Sequence, residues 1–148
     1  MNRATLVLVG TVATLLAGIS IGARAPAAAE ETAVRATVET YLHGLKFNDV
    51  HSLKKAFYPE AKLFFVRKDG ELGELTQENW YKGFTASAGR EEEGELRIVS
   101  VDITDNAASV KVVEIYADST YTDYVSLLKL QQGWKIVNKI FTFEKHAT

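Results

Sequence analysis

Cysteine is absent from the 148 residues, proline occurs twice and histidine three times. Without cysteine there is no disulfide framework, no site for a lipid-carrying thioether and no thiol nucleophile, so packing has to hold the fold. The histidines are His43, His51 and His146, and none has a partner at H-E-x-x-H spacing. The carboxylate run Glu91-Glu92-Glu93 has no histidine beside it and reads as solvated surface, so no metal is expected. There is no G-x-S-x-G elbow and no glycine-rich phosphate loop, Gly83 and Gly89 being isolated, so no cofactor is expected. Basic charge is scarce: 17 basic residues against 19 acidic, with no basic stripe, argue against a nucleic-acid partner. Internal repeats and low-complexity tails are missing too.

Long hydrophobic runs are confined to one place. Arg3 precedes an apolar stretch from Ala4 to Ala23, followed by ARAPAAA and then Glu30-Glu31. This is the outline of a secretory signal, with Ala27-Ala28-Ala29 as a small-x-small cleavage site. Residues 1–29 are therefore expected to be a signal peptide and 30–148 a single domain, secreted or periplasmic, with no stable membrane span after cleavage. An uncleaved N-terminal anchor is the alternative, since about 20 apolar residues can just cross a bilayer. Loss of Arg3 and Arg24 would leave 15 basic residues against 19 acidic. The remaining length suffices for one core, and is small enough that dimerisation would help to bury surface.

The most informative stretch is Tyr121–Phe143, read as a long antiparallel hairpin turning at Gln131-Gln132-Gly133. If Leu130 faces Trp134, then Leu128 faces Ile136, Val125 faces Lys139 and Asp123 faces Phe141. One face then carries Tyr124, Ser126, Leu128 and Leu130 with Trp134, Ile136, Asn138 and Ile140. The other carries Asp123, Val125 and Leu127 with Val137, Lys139, Phe141 and Phe143. Both faces are apolar, which calls for helices on one side and a second subunit on the other. Asp123 and Lys139 are diagonal neighbours among apolar residues and are expected to pair, as a register-fixing structural couple or as polar contacts on a pocket wall. The alternation leaves open which face lines a pocket.

Upstream, Val34, Val38, Tyr41, Leu42 and Leu45 recur at helical spacing. Asn48 breaks that helix, Asp49 can cap a second, and Pro59 is expected to stop it. Lys62–Arg67 reads as a strand, Thr76 as the cap of a third helix carrying Trp80 and Phe84, and Ser87–Glu95 as a solvated loop. Two further strands span Leu96–Ile103 and Ala107–Ala117. Helices followed by a run of antiparallel strands predict an α+β domain, a cone-shaped roll of N-terminal helices in a curved antiparallel sheet.

Two segments, VETYLHGLKFNDVHSLKKAFYPEAKLFF and YTDYVSLLKLQQGWKIVNKIF, in this order, resemble the nuclear transport factor 2-like superfamily, the cystatin-like cone that also holds ketosteroid isomerase and scytalone dehydratase. Within it the resemblance is closest to the group labelled putative lumazine-binding. It implies a pocket between helices and sheet, and commonly a homodimer through the outer sheet face. By the same resemblance Tyr41 falls where ketosteroid isomerase carries an oxyanion-stabilising tyrosine. Phe64-Phe65 falls where its general base would be, and Ser126 falls in place of its hydrogen-bonding acid.

Three functions follow as expectations. The first is an exported domain that binds a small apolar or aromatic molecule, with Tyr41, Trp80, Phe84, Tyr121, Asp123, Tyr124, Asn138 and Lys139 as ligand-binding residues. Tyr116 belongs to the same aromatic supply. The second is an isomerase, dehydratase or cyclase with Tyr41, Asp123 and His51 as candidate catalytic groups. The third is a protein-partner-binding module, which requires an exposed apolar groove.

Overall fold

The structure, a computed structural model, describes residues 27–147. The N-terminal apolar run and most of the expected signal segment lie outside the described residues. The first described helix, α1 (Ala27–Lys46), begins ahead of Glu30 and buries Val34, Val38, Tyr41 and Leu45 on one stripe. Glu30 in its first turn accepts from the Trp134 indole at 2.9 Å and the Lys129 ammonium at 2.5 Å, which ties the helix start to the far hairpin.

Asn48 takes a left-handed backbone (φ 50°) and turns the chain into α2 (Val50–Ala56). Asp49 caps α2 by accepting the His51 backbone N–H at 2.9 Å, satisfying one of the donors a helix start leaves unpaired. The two helices pack closely because residue 44 is glycine: a Cβ there would lie 2.5 Å from Leu53 Cδ2.

Pro59 does not end α2. The helix stops at Ala56, and Pro59 lies exposed inside strand β1 (Phe57–Val66). It falls where the pairing register of β1 is interrupted, between Phe57 and Lys62, so its missing N–H costs no ladder bond. There follow β2 (Leu72–Leu75), α3 (Gln77–Lys82) capped by Thr76, a 3-10 turn (Thr85–Ser87), β3 (Glu95–Thr104), β4 (Ala107–Ile115), β5 (Ser119–Leu130) and β6 (Gly133–Lys145). The strands form one curved sheet in the order β2-β1-β6-β5-β4-β3.

The domain is α+β as expected, but the sheet is mixed: β1 runs parallel to β6, while the other neighbouring pairs are antiparallel. Local hairpins force antiparallel pairing only on consecutive strands. β1 meets β6 across most of the chain, so no turn dictates its direction.

The hairpin register departs from expectation near its turn. Leu130 faces Gly133, Lys129 faces Trp134 and Leu127 faces Ile136. An extra residue, Val137, then shifts the ladder, so that Ser126 faces Asn138, Val125 faces Lys139 and Asp123 faces Phe141. The bulge flips the parity of β6: Trp134 and Ile136 join Val125, Leu127 and Lys139 on the helix-facing side, and all five are buried. Of these, Trp134 and Ile136 are brought to the buried side by that one inserted residue, a gain of about 1.5–3 kcal/mol apiece.

The Ser87–Glu95 loop is held rather than free. Gly89 N–H donates to Phe47 O at 3.0 Å, Glu92 N–H to Lys46 O at 2.7 Å, and the buried Asn48 amide donates to Arg90 O at 3.0 Å and Glu92 Oε1 at 2.8 Å.

Candidate functional site

Four polar side chains from four elements meet beneath the helices. Tyr41 comes from the apolar stripe of α1, Glu114 from the inward parity of β4 after Ala108, Val110 and Val112, Asp123 from β5, and Lys139 from β6 just past the bulge. Tyr41 and Asp123 are fully buried; Glu114 and Lys139 are nearly so. The Lys139 ammonium donates to Asp123 Oδ2 and to the Tyr41 hydroxyl, each at 2.7 Å. The Tyr41 hydroxyl donates to Asp123 Oδ2 and lies 3.2 Å from Glu114 Oε1, and the Tyr116 hydroxyl donates to Glu114 Oε2 at 3.3 Å.

The proton count decides the ionisation. A phenol has one proton, and two carboxylates compete for that of Tyr41. One ammonium can compensate one buried carboxylate, and Lys139 sits on Asp123. Glu114 is therefore the group that keeps a proton: burial first, then the Asp123 charge, push it up to about 8. Protonated, it can donate to the Tyr41 oxygen or to Asp123, whose Oδ1 is buried without a partner among the described residues. Burial and the same two carboxylates raise the Tyr41 phenol well above its ordinary range, and burial with Glu114 raises Tyr116. Tyrosine thus serves as a neutral donor here, not as a base.

Above this cluster lies a cavity of about 790 Å³. Glu114 and Lys139 reach its inner wall. Trp80, Phe84, Tyr116, Tyr121 and Phe141 line its sides, and Glu91, Glu92, Glu93 and Asp118 also border it. The Lys139 ammonium stands 5.2 Å from the Tyr41 ring centroid, 5.4 Å from Trp80 and 4.9 Å from Phe141, a desolvated cation among ring faces.

Of the residues expected from sequence, Trp80, Phe84, Tyr121 and Lys139 line the cavity, while Tyr41 and Asp123 stand one layer behind it and act through Lys139 and Glu114. Tyr124 pairs with Ile140 on the opposite, outer face and is 42% exposed, so it has no access to the cavity. Asn138, paired with the exposed Ser126, is on that outer face too, alternating with the inward Lys139. Ser126 cannot stand in for an inward acid; the inward acids of the sheet are Asp123 and Glu114. His51 is exposed at the start of α2, beside a separate shallow depression with Asp49 and Lys54.

Glu114 is the residue that sequence reading missed. Its signal is present in retrospect: in AASVKVVEIY it occupies the same parity as the buried Ala108, Val110 and Val112, where an acid is anomalous.

Helices laid on one face of a curved six-stranded sheet are the architecture of the nuclear transport factor 2-like, cystatin-like superfamily. Over residues 29–142 the sequence matches the family described as putative lumazine-binding, and the chain belongs to that family. The fold is shared with a nuclear transport factor 2-like protein of unknown function from Shewanella baltica, at 24% identity over 84% of this chain and 100% of that one (TM-score 0.73). It is shared likewise with one from Silicibacter pomeroyi, at 23% identity over 80% and 99% (TM-score 0.71). A ketosteroid isomerase-like protein from Erwinia carotovora atroseptica matches at 14% identity over 80% and 98% (TM-score 0.58). No curated protein matches the sequence.

Proposed function

We propose that the protein binds a small, flat, apolar or aromatic molecule in the cavity between the helices and the sheet, and that it does so outside the cytoplasm as a homodimer. One observation carries the binding reading: a cavity of about 790 Å³, walled by five aromatic rings, with one carboxyl and one ammonium group at its base. That size lies within the range of small-molecule sites, roughly 300–1,000 Å³, and a few convergent polar groups on apolar walls are what orients a ligand. The description of the family, putative lumazine-binding, supports the same reading. The N-terminal apolar run supports export. The outer sheet face supports self-association: Tyr124, Leu128 and Ile140 stand exposed there, and the buried Asn138 Oδ1 lacks a donor among the described residues.

Native mass spectrometry of the chain purified from its own host tests all three parts. A dimer beginning near Glu30 and carrying a discrete extra mass is the expected result. A ligand-free protein that binds nothing from a panel of flat aromatic compounds would sink the binding reading.

Glu114 favours a second reading. A carboxyl group whose pKa burial pushes up to about 8, at the wall of an aromatic cavity, is suited to proton transfer, so isomerase or lyase chemistry would run through Glu114 with Lys139 as electrophilic partner and Tyr41 positioning both. On an identified substrate, turnover that survives Glu114→Gln unchanged would remove it.

A further inference from the structure

Five carboxyl groups line the cavity, Glu91, Glu92, Glu93, Glu114 and Asp118, against the single ammonium of Lys139. Lys139 is already neutralised by Asp123 at 2.7 Å. Glu91 is taken by Lys46 at 3.2 Å, but Glu93 and Asp118 have no ion-pair partner among the described residues. A ligand entering this space crosses a negative field, and low-dielectric walls concentrate such a field. The walls suit the same charge. Tyr41, Trp80 and Phe141 already hold one cation over their faces, while no ammonium among the described residues lies over Phe84, Tyr116 or Tyr121.

Building on the small-molecule reading above, we infer that the ligand is a flat aromatic cation, a ring system bearing a protonated amine or amidine, whose positive group meets Glu114 while its rings stack among Trp80, Phe84 and Tyr121. The groups facing Glu114 fix the proton balance. They are Tyr41 from α1, Asp123 from β5, Lys139 from β6 and Tyr116 at the exit of β4, with Glu92 of the loop close to Tyr116. Lys139 is committed to Asp123 and the phenols remain neutral, so an arriving cation is balanced by ionisation of Glu114, and its proton passes to solvent. Binding of the cation thereby releases one proton; binding of a neutral ring system releases none.

Three acridines separate the charge from the shape: 9-aminoacridine, a cation at pH 7, acridine, neutral, and acridine-9-carboxylate, an anion. Calorimetric titration at pH 7 of the protein purified from its own host should give at least tenfold tighter binding for the cation than for the other two. Repeating it in buffers of different ionisation enthalpy should give release of close to one proton for the cation alone. Glu114→Gln should abolish the proton release and cost the cation about tenfold without weakening acridine. The surface variants Glu93→Gln and Asp118→Asn, which leave the buried cluster intact, should each weaken the cation severalfold. Equal affinities across the three probes, or a preference for the anion, would overturn the inference and leave the binding reading standing. Failure of all three probes to bind folded wild-type protein would overturn both.

Discussion

At neutral pH the Glu114 side chain keeps its proton in the folded protein, where burial and Asp123 raise it to about 8 from an ordinary 4.5. In the unfolded chain it is ionised. Between those two values the native state binds more protons than the unfolded one, so this group's contribution to stability is complete below pH 4.5 and is lost as pH rises through about 8. The slope approaches ~1.4 kcal/mol per pH unit. Urea unfolding at pH 5, 6, 7 and 8 should show wild-type stability falling, and Glu114→Gln should flatten the fall; a wild-type stability that climbs across this window would contradict the assignment. Lys139→Met would leave Asp123 as a buried, uncompensated charge and is expected to cost about 3–5 kcal/mol. Adding Asp123→Leu should recover part of that loss, and a double-mutant cycle by denaturant unfolding measures the coupling. The Asp123–Lys139 contact was legible in sequence because two opposite charges in an apolar alternating run have few other ways to be buried. Glu114 lies in a different hairpin, and no local pattern joins it to Asp123.

Among elements, α1 packs on α2 closely enough that position 44 has no room for a side chain. Gly44→Ala places a Cβ against the Leu53 side chain and should cost about 1–3 kcal/mol, seen as a lowered melting temperature with an unchanged circular dichroism spectrum. Helix starts were readable at Asp49 and Thr76 because each side chain caps the turn that follows it. The bulge at Val137 was not. A ladder of strict alternation explains the sequence equally well until Trp134 and Ile136 have to be buried beside Leu127, and that demand comes from the helices packed over β6. Nor was the anchoring of the acidic loop readable: Asn48 looks like an ordinary helix breaker until its amide is seen to hold Arg90 O and Glu92.

For the whole molecule, the proposed self-association rests on the outer sheet face, where Tyr124, Leu128 and Ile140 stand exposed. Leu128→Lys together with Ile140→Lys puts two charges on that face without touching the core, since both residues are exposed in the single chain. Analytical ultracentrifugation should show a dimer for wild type and a monomer for the double variant, each with native circular dichroism. A wild-type monomer at high concentration would remove the dimer from the proposal. The acidic cavity and the apolar outer face lie on opposite sides of the sheet, so this double variant should bind 9-aminoacridine as wild type does.

The sequence by itself determined the order of helices and strands, the α+β class, the stripe that buries Tyr41, and the pairing of Asp123 with Lys139. Each follows from periodicity, capping or the cost of a lone buried charge, which act over neighbouring residues or across one hairpin. Only the tertiary structure decided that β1 lies parallel to β6, that Tyr124 and Asn138 face away from the cavity, and that Glu114 completes the buried cluster. Those outcomes depend on contacts between elements far apart in the chain, where burial of one element's apolar face sets the register of another, and no spacing within a single segment carries that information.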